Sequence, residues 1–128
     1  MATWDDVDRL ARALPETTER PTYEQARSWR VRDKAFAWER PLRKADLAEL
    51  GERAPTGPVL AVQVPDVGAR DALIADSPDV YFTTAHFNGY PAVLVRLDAI
   101  EVGELAELLD EAWECRAPRR LVTEHRDQ

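Results

Sequence analysis

Residues 92–116 constrain the fold more than any other part of this chain. Ala92-Val93-Leu94-Val95-Arg96-Leu97 is an apolar run of strand length. Residues 102–116 follow with Val102, Leu105, Ala106, Leu109, Ala112 and Trp113 on one helical stripe and the acids elsewhere. A strand and a helix that each expose an apolar face to water gain most by burying those faces on one another, which predicts a layer of helix against a layer of sheet. Elements of the same two kinds recur upstream. Thr3 caps a first helix that carries Asp5 and Asp6 in its first turn, spaces Trp4, Val7, Leu10, Ala11 and Leu14 along one side, and stops at Pro15. Residues 46–51 read as a short capped helix ended by Gly51, 59–64 as a strand, and 67–75 as a helix with Leu73 and Ile74 buried. Residues 80–83 read as a short strand and 86–91 as a loop. The polar segment 16–25, interrupted by Pro21, predicts an exposed connection with a short extended piece at Thr22-Tyr23. The pattern predicts one α+β domain over residues 1–128, in two layers with a mostly antiparallel sheet, ending in a flexible tail from about residue 118.

Between the first and second helices lies a candidate hairpin. If residues 28–31 and 34–39 pair around a turn at Arg32-Asp33, Val31 faces Lys34, Trp29 faces Phe36 and Arg27 faces Trp38. Trp29, Val31, Phe36 and Trp38 then share a core face, while Ser28, Arg30, Ala35 and Ala37 occupy the other. Both tryptophans thus read as core. Exposure of either would point instead to stacking on single-stranded nucleic acid.

Three blocks of sequence together resemble the MmcQ/YjbR family. They are Tyr81-Phe82-Thr83-Thr84-Ala85-His86-Phe87-Asn88-Gly89-Tyr90-Pro91 running into the strand above, Val31-Arg32-Asp33-Lys34-Ala35-Phe36-Ala37 with its Lys-x-Phe-Ala, and Ala117-Pro118-Arg119-Arg120. The resemblance implies helices packed on one side of an antiparallel sheet, an architecture shared with secretion chaperones, and it carries a DNA-binding label. Family members commonly have Gly before the Lys. Here Asp33 must supply the left-handed backbone.

Charge divides unevenly along the chain. The whole carries −7 with a pI near 4.8, yet residues 26–44 hold seven bases against two acids, and 45–115 hold three Arg against fourteen acids. An acidic body supplies no global attraction for a polyanion, so any nucleic-acid site must be a local basic patch. Arg30, Arg32, Lys34, Arg43 and Lys44 are the candidates, with Arg119 and Arg120 as an extension, on the model of a β-ribbon straddling phosphates. The competing bland reading is that these side chains pair with the acids.

A second candidate is the loop that gathers Thr84, His86, Asn88 and Tyr90, a small-ligand site if its polar groups converge. The alternative for the same loop is that His86 and Asn88 serve their own backbone while Tyr81, Phe82 and Phe87 close the core. A third class, a protein-binding or chaperone-like adaptor, predicts an exposed apolar patch or sheet edge. Catalysis has no candidate, because no nucleophile lies beside His86 and no carboxylate pair stands out. His86, His125 and Cys115 lie at no metal-ligand spacing, so neither a metal nor another cofactor is expected. Cys115 reads as a small buried or half-buried side chain. One cysteine, the lack of a secretory signal and the lack of a membrane-length apolar run predict a cytoplasmic protein without a membrane partner.

Overall fold

The structure is a computed structural model and describes residues 1–22 and 26–127. Its elements are α1 (Trp4–Arg12), β1 (Thr17–Pro21), β2 (Arg27–Val31), β3 (Lys34–Glu39), α2 (Lys44–Leu50), β4 (Val59–Gln63), α3 (Val67–Asp76), β5 (Tyr81–Phe82), β6 (Ala92–Arg96), α4 (Val102–Arg116) and α5 (Arg119–Arg126). Among the described residues six strands form one sheet in the order β1-β2-β3-β4-β6-β5, every neighbouring pair antiparallel. The fold is the α+β class that the pattern predicts. Among the described residues no helix is long and apolar enough to cross a membrane.

Local chemistry explains the helices. Thr3 Oγ1 accepts from the Asp6 N–H at 3.3 Å and Asp6 accepts from the Thr3 N–H at 2.9 Å, a reciprocal cap that satisfies two otherwise orphaned donors. The apolar stripes of α1 and α4 then lie on the sheet. Trp29, Trp113, Phe36, Leu105 and Leu109 are completely buried between the two layers. Both indoles keep a partner there: Trp29 Nε1 donates to Asp8 at 3.0 Å and Trp113 Nε1 to the Pro15 carbonyl at 3.0 Å. Central β4 is buried at all five positions, because its opposite face carries a smaller cluster of Val59, Ala61, Leu94, Phe82, Phe87 and Leu50, with α2 contributing the last.

Three expectations are corrected. Residues 17–21 form β1, an edge strand paired with β2, where a connection is predicted; Thr22 follows it, and Tyr23 lies outside the described residues. The strand is polar because only one of its edges and little of its surface are covered, so the alternation that betrays a strand is missing. The segment expected as a tail folds into α5, which buries Leu121 against the core. The third correction moves a tryptophan. Val31 pairs with Lys34 as predicted, but Arg30 pairs with Ala35 and Trp29 with Ala37, leaving Phe36 as the extra residue of a β-bulge. Beyond the bulge the two faces exchange: Ala37 joins Phe36 in the core, and Trp38 turns to the opposite face beside Phe87 and Leu42.

The turn that carries this hairpin has Arg32 at φ 46° and Asp33 at φ 68°, the pair of left-handed residues that a two-residue hairpin needs.

Candidate functional site

The sheet face turned away from α1 and α4 is left open at its β1-β2-β3 end, and the displaced Trp38 lies in that opening. Two hollows adjoin there. The larger, about 540 Å³, is lined by Trp38, Arg30, Arg43, His86, Phe87 and Tyr90, with Glu39 and Arg40 at its margin. The smaller, about 390 Å³, is lined by Lys34, Ala35, Ser28 and Arg116, and shares Thr22, Arg30, Trp38 and Tyr90 with the first.

Each wall is fixed by identifiable bonds. Arg30, projecting from β2, donates from Nε to Ser28 Oγ at 3.1 Å and from Nη1 to the Asp33 carbonyl at 3.2 Å, so the hairpin's own turn orients the guanidinium without neutralising it. The 85–90 segment opens with a 3-10 turn at Ala85–Phe87. It is pinned from α3 by the buried Arg70, whose Nη1 donates to the carbonyls of Phe87 at 3.1 Å and Tyr90 at 3.4 Å. Glu49 of α2 accepts from the Ala85 N–H at 3.0 Å on the other side. Gly89, at φ 76°, allows the chain to turn back into β6. Arg116 reaches the groove from the last turn of α4: its Nη2 donates to Gln63 Oε1 at 3.2 Å and to the Tyr90 hydroxyl at 3.1 Å, and Gln63 in turn donates to the Pro91 carbonyl at 2.9 Å.

Beneath the larger hollow lies a buried ion pair. Arg40 Nη2 meets Asp46 at 3.1 Å, with both side chains less than a tenth exposed, and the guanidinium packs 5.4 Å from the Phe87 ring centre. Burial pushes the Asp46 carboxyl up, but the Arg43 N–H that it accepts at 2.9 Å and the charge of Arg40 outweigh this and hold it below its ordinary value. Arg40 is thereby spent on the fold. Glu39 likewise accepts from the Arg27 N–H at 3.1 Å.

The basic residues predicted as one patch separate into two groups. Arg30, Lys34 and Arg43 line the groove, whereas Arg32 stands at the hairpin tip with Nε and Nη2 on the Glu16 carboxylate at 2.7 and 3.0 Å. Lys44 opens α2 at the surface and lines neither hollow. Arg120 pairs with Glu124 at 3.2 Å and borders a separate hollow with Arg32. Among the described residues, neither Arg30 nor Lys34 nor Arg116 has a carboxylate within ion-pair distance. The residues of the loop also divide. His86 and Tyr90 face the groove, Asn88 is exposed outside it, and Thr84 is buried near Asp46. The two candidate sites of the sequence, hairpin and loop, are thus opposite walls of one concavity.

The sequence assigns Trp38 to the core face and does not single out Arg116, for different reasons. The first depends on a bulge. The second is an unremarkable charged residue at a helix end, brought in only by the way α4 crosses the sheet. Cys115 beside it is exposed, and desolvation with the charge of Glu111 pushes its thiol up, which disfavours the reactive thiolate. Among the described residues no cluster of three His, Cys, Asp or Glu side chains is arranged to hold a metal ion.

A family model described as YjbR matches residues 12–115. Uncharacterized proteins of Mycobacterium tuberculosis and Mycobacterium bovis are 54% identical over 125 residues, spanning 95% of this chain and 94% of each relative. Among solved structures, Deinococcus radiodurans protein DR2400, with a DUF419 family-model domain, superposes with a TM-score of 0.63 at 20% identity, over 88% of this chain and 77% of that one. That likeness establishes the fold.

Proposed function

Because the chain belongs to the YjbR family and opens a cationic, tryptophan-floored groove on its sheet, we propose that it is a binding protein for single-stranded nucleic acid. The observation that carries the reading is Trp38, moved by the bulge to the opposite face, where it is half-buried and lines both hollows together with Arg30 and Tyr90. An aromatic face gives a base about 1–3 kcal/mol of stacking irrespective of its identity, and neighbouring cations take the phosphates. Duplex DNA hides its bases from such a floor. The acidic remainder of the chain also gives a long polyanion little reason to bind elsewhere, which favours a short local contact over a wrapped duplex. Among the described residues the large exposed apolar side chains are Met1, Leu47 and Tyr90, too scattered to make an apolar docking patch, and the edge strand β1 is short and polar, so the adaptor reading has less support.

Fluorescence anisotropy with a labelled oligothymidine and with a duplex of equal length tests the proposal. Three phosphate-facing cations, Arg30, Lys34 and Arg116, predict a log–log salt slope of about −2, or roughly a twentyfold loss of affinity between about 50 and 200 mM salt. Trp38→Ala should weaken single-strand binding by about tenfold or more. Tighter binding to the duplex, or single-strand affinity indifferent to Trp38→Ala, would overturn the assignment.

A further inference from the structure

The groove is divided in two. Trp38, Arg30 and Tyr90 belong to both hollows, so they form a sill between two compartments, each of the size that takes a small organic ligand. The cations are divided between the two compartments. Arg43 lies in the larger compartment, Arg30 at the sill, and Lys34 with Arg116 in the smaller. A sugar-phosphate chain presents one negative charge per nucleotide, and cations shared out between two compartments suit such a chain better than they suit one compact anion.

Resting on the reading above, we propose that the groove holds two successive nucleotides of a strand, one in each compartment, with the phosphate that joins them on Arg30 and the next on Arg116 and Lys34. The free valences support the assignment. Arg30 uses Nε and Nη1 for Ser28 and the Asp33 carbonyl, leaving Nη2 without a protein partner among the described residues. Arg116 uses Nη2 for both Gln63 and Tyr90; its Nε is buried without a partner, and Nη1 is left without a protein partner among the described residues. Both guanidiniums are therefore held in place by neutral groups while retaining full charge and one N–H edge for a phosphate oxygen, the arrangement that charge-assisted bonding favours. Among the described residues, Glu39 is the one carboxylate on the lining. It sits in the larger compartment alone, so that compartment's Glu39 side takes a base edge rather than a phosphate. Tyr90, bonded to Arg116 and packed 6.3 Å from the Phe87 ring centre, couples the sill to the smaller compartment.

The experiment is a titration of the intact protein, followed by tryptophan fluorescence at low salt, with 5′-phosphorylated thymidine oligomers of one to four nucleotides and a twenty-nucleotide strand. Joining two bound units makes the second contact intramolecular, so affinity should rise by about tenfold or more from one nucleotide to two, then change by less than about threefold up to four. In Lys34→Ala, whose exposed side chain makes no bond the fold needs, and in Arg116→Met, the gain from one to two should shrink to less than about threefold. Equal affinity for one and two nucleotides, or a steady climb through four, overturns the two-compartment assignment while binding of the long strand preserves the broader reading. Failure of the long strand to bind removes both.

Discussion

Replacing Asp46 with alanine should strand Arg40, and the size of the penalty follows from the burial. Both side chains are less than a tenth exposed, and Asp46 is the carboxylate that faces the guanidinium, at 3.1 Å. Removing it leaves a buried positive charge whose remaining contacts are the Pro41 carbonyl and the Phe87 ring, neither of which carries a compensating charge. Breaking a buried pair from one side costs about 3–5 kcal/mol, and the Arg43 N–H at the start of α2 loses its acceptor as well. For a domain with about 5–15 kcal/mol in total, that is a large fraction of its stability. Urea unfolding followed by circular dichroism gives the measurement. Arg40→Met combined with Asp46→Ala removes the charge along with its partner, so the double variant should recover more than half of the loss. The pair also gives stability a pH dependence. The Asp46 carboxyl is held below its ordinary value, so its contribution is present above the unfolded value of about 3.9 and disappears as pH falls through the folded value. The gap between wild type and Asp46→Asn should accordingly be full at neutral pH and narrow below about pH 4. A single variant that loses less than about 1 kcal/mol, or a double variant no more stable than the single, would refute the account of a desolvated pair.

The bulge predicts that two tryptophans of one hairpin behave differently: Trp29→Ala should cost about 3–5 kcal/mol from the closed core, whereas Trp38→Ala, on the open face, should cost markedly less; comparable losses in chemical denaturation would contradict the register. At the hairpin tip, Arg32→Asn with Asp33→Gly supplies the residues that tolerate left-handed backbone, and thermal unfolding should show a gain of about 0.5–1 kcal/mol, offset in part by the lost exposed pairs of Arg32 with Glu16 and of Asp33 with Arg20. Because Arg32 lies outside the groove, that variant should also bind single strands as wild type does, and a loss of affinity would return the tip to the site.

Much of the scaffold is local enough to be read from residue order. α1 announces itself through Thr3, its acidic first turn and its stripe, α4 through an apolar stripe with acids elsewhere that matches its observed span, and β6 through an apolar run. The two-residue turn at Arg32-Asp33 needs only its flanks. Other features have no local signature. β1 is polar, held by pairing to β2 rather than by an apolar face, so only the finished sheet makes it a strand. α5 has Leu121 as its buried anchor, and whether one leucine docks depends on the surface offered to it.

What the linear chain determined by itself, then, is the set of elements and the two-layer class, because capping, periodicity and turn chemistry act over a few residues. Which face each residue occupies near the bulge, and which cations keep their charge, were decided only on assembly. One extra residue at Phe36 reverses every side chain after it. Arg32 is neutralised by a Glu16 that sits far away along the chain, while Arg30 is oriented by neutral groups of its own hairpin. Pairing register and ion-pair choice are non-local quantities, fixed by which surfaces the packed layers bring within a few ångströms.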